Sequence, residues 1–292
     1  MSKSNTEQKV DAKNKDTIIT REDLVAFIKT QDDFALELYA YSLANRKGFK
    51  VAHAGSYVDP VTGKTRQYDV RANRDCGNNF HVYLAIECKA LRPTFPVLVS
   101  QISRSTAESH QTVIHTAGVI DFPPYNQNVM GPNTQRLEGP ASIYPAGVYV
   151  GKAIVQIGYG DKGSFVANNN EVFEKWGQAI ASANGQIRDA AMLNNRSDKP
   201  SQSAIVIPVL VVPDGALWVA GYGEDGELQN GPVQKNSVEV YIGDVQKTHF
   251  NHPVEYVISH LHIVTRHGLD QFLGRFSHPG DDIKKFVIGG GV

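Results

Sequence analysis

Glu87 and Lys89 stand two residues apart in AIECKAL, within a run, FHVYLAIECKAL, that otherwise reads as a strand bound for a protein interior. Side chains alternate across a strand. Phe80, Val82, Leu84, Ile86, Cys88 and Ala90 therefore share a wholly apolar face, while His81, Tyr83, Ala85, Glu87, Lys89 and Leu91 share the other. The preceding strand-like stretch repeats the pattern, with Tyr68, Val70 and Ala72 on an apolar face and Gln67, Asp69 and Arg71 on a polar one. If the two strands are neighbours, about 4.8 Å apart, Asp69 reaches Glu87. Carboxylates that close repel and raise a carboxyl pKa, which favours either a shared proton or a divalent cation between them. Oxygen-only donors suit Mg2+ or Mn2+ better than zinc.

The acidic-x-lysine triple carries little information by itself: the chain holds four, Glu7-Gln8-Lys9, Asp11-Ala12-Lys13, Glu87-Cys88-Lys89 and Asp282-Ile283-Lys284. Only the third lies in an apolar strand, follows a strand with an aspartate on its polar face, and sits downstream of a helical glutamate, Glu37. The competing reading makes Glu87 and Lys89 the wet face of an amphipathic strand, each paired with a neighbour for less than about 1 kcal/mol.

The elements that must position these groups follow from periodicity and turn chemistry. Thr20 ahead of Asp23 signals a helix start in TREDLVAFIK, and Phe34, Leu38, Tyr41, Leu43 and Ala44 recur at helical spacing until Gly48. FKVAHAGSYV and KTRQYDVRAN flank the turn DPVTG as a hairpin, FHVYLAIECKAL is a third strand, and PVLVSQIS reads as a fourth. Residues 105–150, with scattered Pro, Gly and Asn, read as an insertion after these strands. In NNNEVFEKWGQAIASANGQIRDAAML, residues Val172, Phe173, Trp176, Ala179, Ile180, Ala183 and Ile187 share a helical face broad enough to cover a sheet. Further strands, SAIVIPVLVVP, ALWVAGYGEDGEL, NSVEVYIGDV and SHLHIVT, precede a final amphipathic helix, GLDQFLGRF. This order predicts an α/β fold built on one mixed sheet.

Composition sets outer limits. The 292 residues, 41% of them apolar, support one large domain or two small ones, and no linker divides residues 17–292. A formal net charge of -1 leaves any nucleic-acid contact to a local patch. Cys76 and Cys88, the only cysteines, are too few for a disulfide framework or a four-thiolate zinc site and fit a reducing, cytoplasmic setting. No run of about 18 apolar residues suggests a membrane span, and residues 1–16 read as a disordered tail.

With Asp69, then Glu87-Cys88-Lys89 on the next strand, after a helix carrying Glu37, the chain resembles the PD-(D/E)XK nuclease superfamily, of restriction-endonuclease-like fold. The resemblance covers roughly residues 20–104, and more loosely the later helix and strands. It implies a metal-dependent endonuclease acting on DNA in anti-phage defence, restriction or repair. Asp69 and Glu87 would ligate Mg2+ or Mn2+, with the Cys88 carbonyl as a further ligand. Lys89 would orient the attacking water or stabilise the phosphoryl charge, and Glu37 matches the additional acidic residue that many members aim at the metal. Tyr68 stands where the motif has proline, and no glutamine-tyrosine helix motif of the RecB-like branch is present. RPTFPVLVS and HIVTRHGLDQFL look most like Mrr-type and defence-associated members. A homodimer would give one site to each strand of a duplex, and targeting or activation would call for a partner subunit. The alternative is a non-catalytic module that keeps the fold to bind nucleic acid or protein.

Other motifs point elsewhere with less support. GYGDKG satisfies G-x-G-x-x-G, but no helix starts at its glycines, so a glycine-rich turn is expected. His260 and His262 share a strand face, with His267 nearby, yet no third ligand is positioned, and ordinary partly buried histidines are expected. Arg71, Arg92 and Arg104 flank the acidic residues, either as phosphate contacts or as surface charges.

Overall fold

Thr20 and Asp23 fix where the first helix starts. The Asp23 N–H donates to the Thr20 hydroxyl (3.2 Å) while the Thr20 N–H donates to the Asp23 carboxylate (2.9 Å), closing the cap that TRED predicts. Helices α1 (Arg21–Gln31) and α2 (Phe34–Arg46) follow, and Gly48, at φ +83°, supplies the left-handed turn after α2. The computed structural model describes residues 18–31, 33–59, 62–92, 94–116, 118–122, 125–130, 132–160, 163–168, 170–191, 202–249 and 253–277. The tail expected over residues 1–16 lies outside them.

The hairpin around DPVTG is two-tiered. Strands β1 (Lys50–His53) and β4 (Val70–Asp75) form its base, and β2 (Ser56–Val58) and β3 (Thr65–Gln67) form its tip. Next is β5 (Phe80–Cys88), which ends one residue before Lys89. The chain continues through β6 (Val97–Ser103), β7 (His110–His115), β8 (Gly118–Phe122), β9 (Tyr125–Met130), β10 (Asn133–Glu138), β11 (Tyr149–Tyr159) and β12 (Phe165–Ala167) to helix α3 (Asn170–Ala191). Strands β13 (Ser203–Val212), β14 (Leu217–Tyr222), β15 (Leu228–Gln234), β16 (Ser237–His249) and β17 (Pro253–Thr265) and helix α4 (Arg266–Ser277) complete it. The described residues of GYGDKG, 158–160 and 163, lie at the β11–β12 hairpin, as those of a glycine-rich turn should.

The protein is mixed α/β, with a large mixed sheet flanked, among the described residues, by four helices. Strand order is β1-β4-β5-β13-β17-β16-β11-β6-β14-β15, with β12 on β11 and with β7, carrying β10, on β13. PVLVSQIS is a strand, but β6 lies between β11 and β14 rather than beside β5. The segment 105–150 supplies β7 to β10, and through β7 it joins the main sheet. Strand β13 runs parallel to β5 from Ser203↔Phe80 to Val211↔Cys88 and parallel to β17 near its end. Parallel strands covered on both faces read as continuous apolar runs, and SAIVIPVLVV is one.

Two helical layers account for that burial. On one face, Leu36, Ala40, Leu43 and Ala44 of α2 and Leu269, Phe272, Leu273 and Phe276 of α4 pack on Val70, Val82, Leu84, Ile86, Cys88 and Val209. On the other, Ala183, Ile187 and Ala190 of α3 pack on Tyr83, Ala85, Val206 and Ile258. Of the predicted α3 face, Val172, Ala179, Ala183 and Ile187 are buried, Trp176 and Ile180 are partly buried, and Phe173 is exposed. The face of β5 that carries Glu87 is therefore not a wet face. It is roofed by α3, and Glu87 is 0% exposed. Among the described residues no helix is long and apolar enough to cross a membrane.

Candidate active site

The antiparallel register of β4 and β5 begins at Val70↔Ile86, so Asp69 stands one step beyond, opposite Glu87. The Asp69 N–H donates to Glu87 Oε1 at 3.4 Å, and the Cys88 N–H donates to Asp69 Oδ2 at 2.7 Å. Both acids are buried where β5 ends. Burial, and then the neighbouring Asp69, push the Glu87 carboxyl well above the usual carboxylate range.

The cation that faces this pair is Lys175 of α3. Its Nζ lies 2.9 Å from Asp69 Oδ2 and 3.5 Å from Glu87 Oε2. Burial alone would lower the Lys175 ammonium, but Asp69 and then Glu87 hold it above its ordinary value. Lys175 was not among the residues singled out from the sequence, although a signal was present. It stands three residues after Val172 and four before Ala179, both buried, so it shares the sheet-facing side of α3.

Glu37 approaches from α2. Its Oε2 lies 3.2 Å from His53 Nε2, and the Glu37 carboxyl is raised first by burial and then by Asp69. The Cys88 thiol is buried, and desolvation pushes it well above its ordinary value, so it is no nucleophile.

The structure thus brings Asp69, Glu87 and the Cys88 backbone together, with Glu37 near enough for Asp69 to raise its carboxyl pKa. It does not bring Lys89 to them. With β5 ended, Lys89 turns to Asp33 Oδ2 (3.4 Å) and Glu171 Oε2 (3.5 Å), and Asp33 Oδ1 also accepts the Ala90 N–H at 2.5 Å. The alternation that put Glu87 and Lys89 in one space holds only while the strand lasts.

The three arginines separate. Arg71 is held between Tyr57 and Tyr68 and donates to Ser182 on α3, where Gly185 leaves room for its guanidinium. Arg104 is buried elsewhere, on Glu239 and the Pro145 carbonyl. Arg92 is exposed just past Lys89.

His260 and His262 are structural. Tyr144 bonds His262 Nε2 through its hydroxyl (2.9 Å) and stacks on His260 at 3.8 Å. Burial lowers both imidazoles, His262 to about 4. A histidine neutral in the fold but protonated in the unfolded chain contributes full stability above about pH 6.5 and loses it as pH falls towards the folded value. Urea unfolding is expected to show about 2 kcal/mol less stability per histidine at pH 5 than at pH 7, and His262→Gln is expected to remove its share of that slope.

Among the described residues, no group of three or more His, Cys, Asp or Glu side chains is arranged to hold a metal ion. What suits a hard divalent cation is the donor chemistry. Two carboxylates adjoin, one with a buried oxygen, Glu87 Oε2, that accepts no hydrogen bond, and Glu37 stands nearby. In comparisons with known proteins, no family model, no curated protein and no solved structure matches the chain.

Proposed function

We propose that the protein is a metal-dependent nuclease that hydrolyses DNA phosphodiester bonds, on a restriction-endonuclease-like fold of the PD-(D/E)XK kind. The observation that carries this reading is the buried pair of Asp69 and Glu87 facing one lysine. Two adjoining buried carboxylates, one with an oxygen that accepts no hydrogen bond and whose cation, Lys175, stands 3.5 Å away, are costly to a fold and are the kind of pair a ligand uses. Asp69 and Glu87 would hold Mg2+ or Mn2+, with Glu37 and the Cys88 carbonyl as the further oxygen donors. When bound, the ion supplies Lewis-acid charge against the phosphoryl oxygens of the substrate.

The chain's own groups do the rest. The Cys88 N–H fixes one oxygen of Asp69 and so sets the direction of that carboxylate. Lys175, anchored on a long helix, presents fixed positive charge to the space where negative charge develops on the phosphoryl group. His53 orients Glu37. The role that the resemblance gives to Lys89 passes in this reading to Lys175, which is the lysine in contact with both acids.

The test is incubation of the purified protein with plasmid and single-stranded DNA plus Mg2+ or Mn2+. Cleavage is expected with either ion, none in EDTA, and none above background for Asp69→Ala. Cleavage that survives both EDTA and Asp69→Ala would overturn the site. A defence, restriction or repair role, a homodimer and a targeting subunit rest on the resemblance alone. A chain that binds DNA under all conditions and cleaves it under none would instead be a binding module on this fold.

A further inference from the structure

Lys89, left without a role at the carboxylates, lines a cavity of about 230 Å3 together with Ala90, Arg92, Phe95, Gln156, Asn168 and Glu171. The cavity starts where β5 ends: Lys89 follows Glu87 by two residues, and Glu171 stands one helical turn before Lys175 on α3. Its polar lining is two cationic side chains, two amides and one carboxylate, Glu171, beside Ala90 and an aromatic wall, Phe95, which lies against Gly158. A side chain at position 158 would collide with the ring, since a Cβ there would come within 2.0 Å of it.

We propose that this cavity binds a phosphate group of the nucleic-acid strand next to the one at the carboxylates, with Lys89 and Arg92 as its cationic contacts. The inference rests on the nuclease reading and adds to it a binding subsite and a second function for the acidic-x-lysine triple. Three observations carry it. Arg92 is exposed at the cavity, so its fork of donors is open to a phosphate. Among the described residues, Lys89 is held by Asp33 at 3.4 Å and by Glu171 at 3.5 Å, and the Glu171 side chain is 62% exposed. The pair with Glu171, open to solvent on its acidic side, is worth under about 1 kcal/mol, so a doubly coordinated phosphate displaces it readily. Finally, the amides of Gln156 and Asn168 line the same space. Of the two acids on Lys89, Glu171 is the one that lines the cavity, and it swings outward when an anion enters.

The division of labour between two lysines follows. Lys175 serves the reacting group, and Lys89 serves its neighbour along the strand. A lysine at the second site acts on binding rather than on the chemical step.

The test is fluorescence anisotropy of a short fluorescein-labelled single-stranded DNA oligonucleotide in EDTA, where no cleavage is expected. Arg92→Glu is expected to weaken binding roughly tenfold, and Lys89→Met to lower the salt dependence by about one unit of slope. Glu171→Gln is expected to tighten binding roughly threefold, a gain that a misfolded variant would not produce. Inorganic phosphate is expected to compete. Unchanged affinity in both Arg92→Glu and Glu171→Gln would overturn the subsite. If those variants shift binding while the wild type never cleaves, the subsite stands and the nuclease reading fails. If cleavage depends on Asp69 but affinity ignores Arg92 and Glu171, the reverse holds.

Discussion

Glu87→Gln is expected to raise stability and abolish cleavage in the same variant. The carboxyl is fully buried, and burial with Asp69 beside it raises its pKa. A group whose folded pKa is raised gives its full contribution below its unfolded value, near 4.5, and loses it as pH climbs towards the folded value. Glutamine removes that loss and keeps the shape, and its amide can donate to Asp69. In EDTA the variant is expected to be more stable than wild type by on the order of 1 kcal/mol at pH 7, with a gap that widens towards pH 9 and closes towards pH 5. Cleavage with Mg2+ is expected to fall about a thousand-fold, because the donor oxygen is lost. Paired melting curves and rates across pH decide it. A variant that is less stable at every pH would mean that Glu87 is a structural anchor and not a strained site.

The second large effect is opposite in sign. Lys175→Met leaves Asp69 and Glu87 buried without their cation, which costs about 3 kcal/mol of stability in metal-free buffer. Mn2+ is expected to return a good part of it, so the thermal shift on adding Mn2+ should be larger for Lys175→Met than for wild type. Cleavage is expected to drop by about two orders of magnitude, as for the loss of one preorganised positive group. An equal Mn2+ shift in the two proteins would show that the ion and the lysine do not share these carboxylates.

The strands around the site were legible because local chemistry and tertiary packing agree there. Gly48 ended its helix, DPVTG turned the hairpin, and alternation through β4 and β5 put Asp69 opposite Glu87. Alternation failed at Lys89 because it describes a strand, and the strand stops at Cys88, where Asp33 takes the Ala90 N–H and draws the chain aside. The competing wet-face reading put solvent beside Glu87, since one strand does not say what covers it. The cover, α3, follows much later in the sequence. Lys175 was hidden for the same reason: on a helix of clear amphipathicity a single lysine reads as a boundary residue, and only the sheet beneath shows what it meets. The place of β6, far from β5, is a matter of long-range pairing that no local pattern encodes.

Strand β5 lies between β4, which precedes it directly, and β13, which begins only at Ser203. During synthesis the hairpin carrying Asp69 and Glu87 therefore emerges long before its parallel neighbour, its α3 roof or its lysine. The edge of β5 stays unpaired until β13 has left the ribosome, and the two acids face water, where both can ionise, until α3 packs over them. The buried charge cluster thus forms only after α3 has been made, and the nascent chain carries this apolar strand with an open edge while residues 89–202 are added.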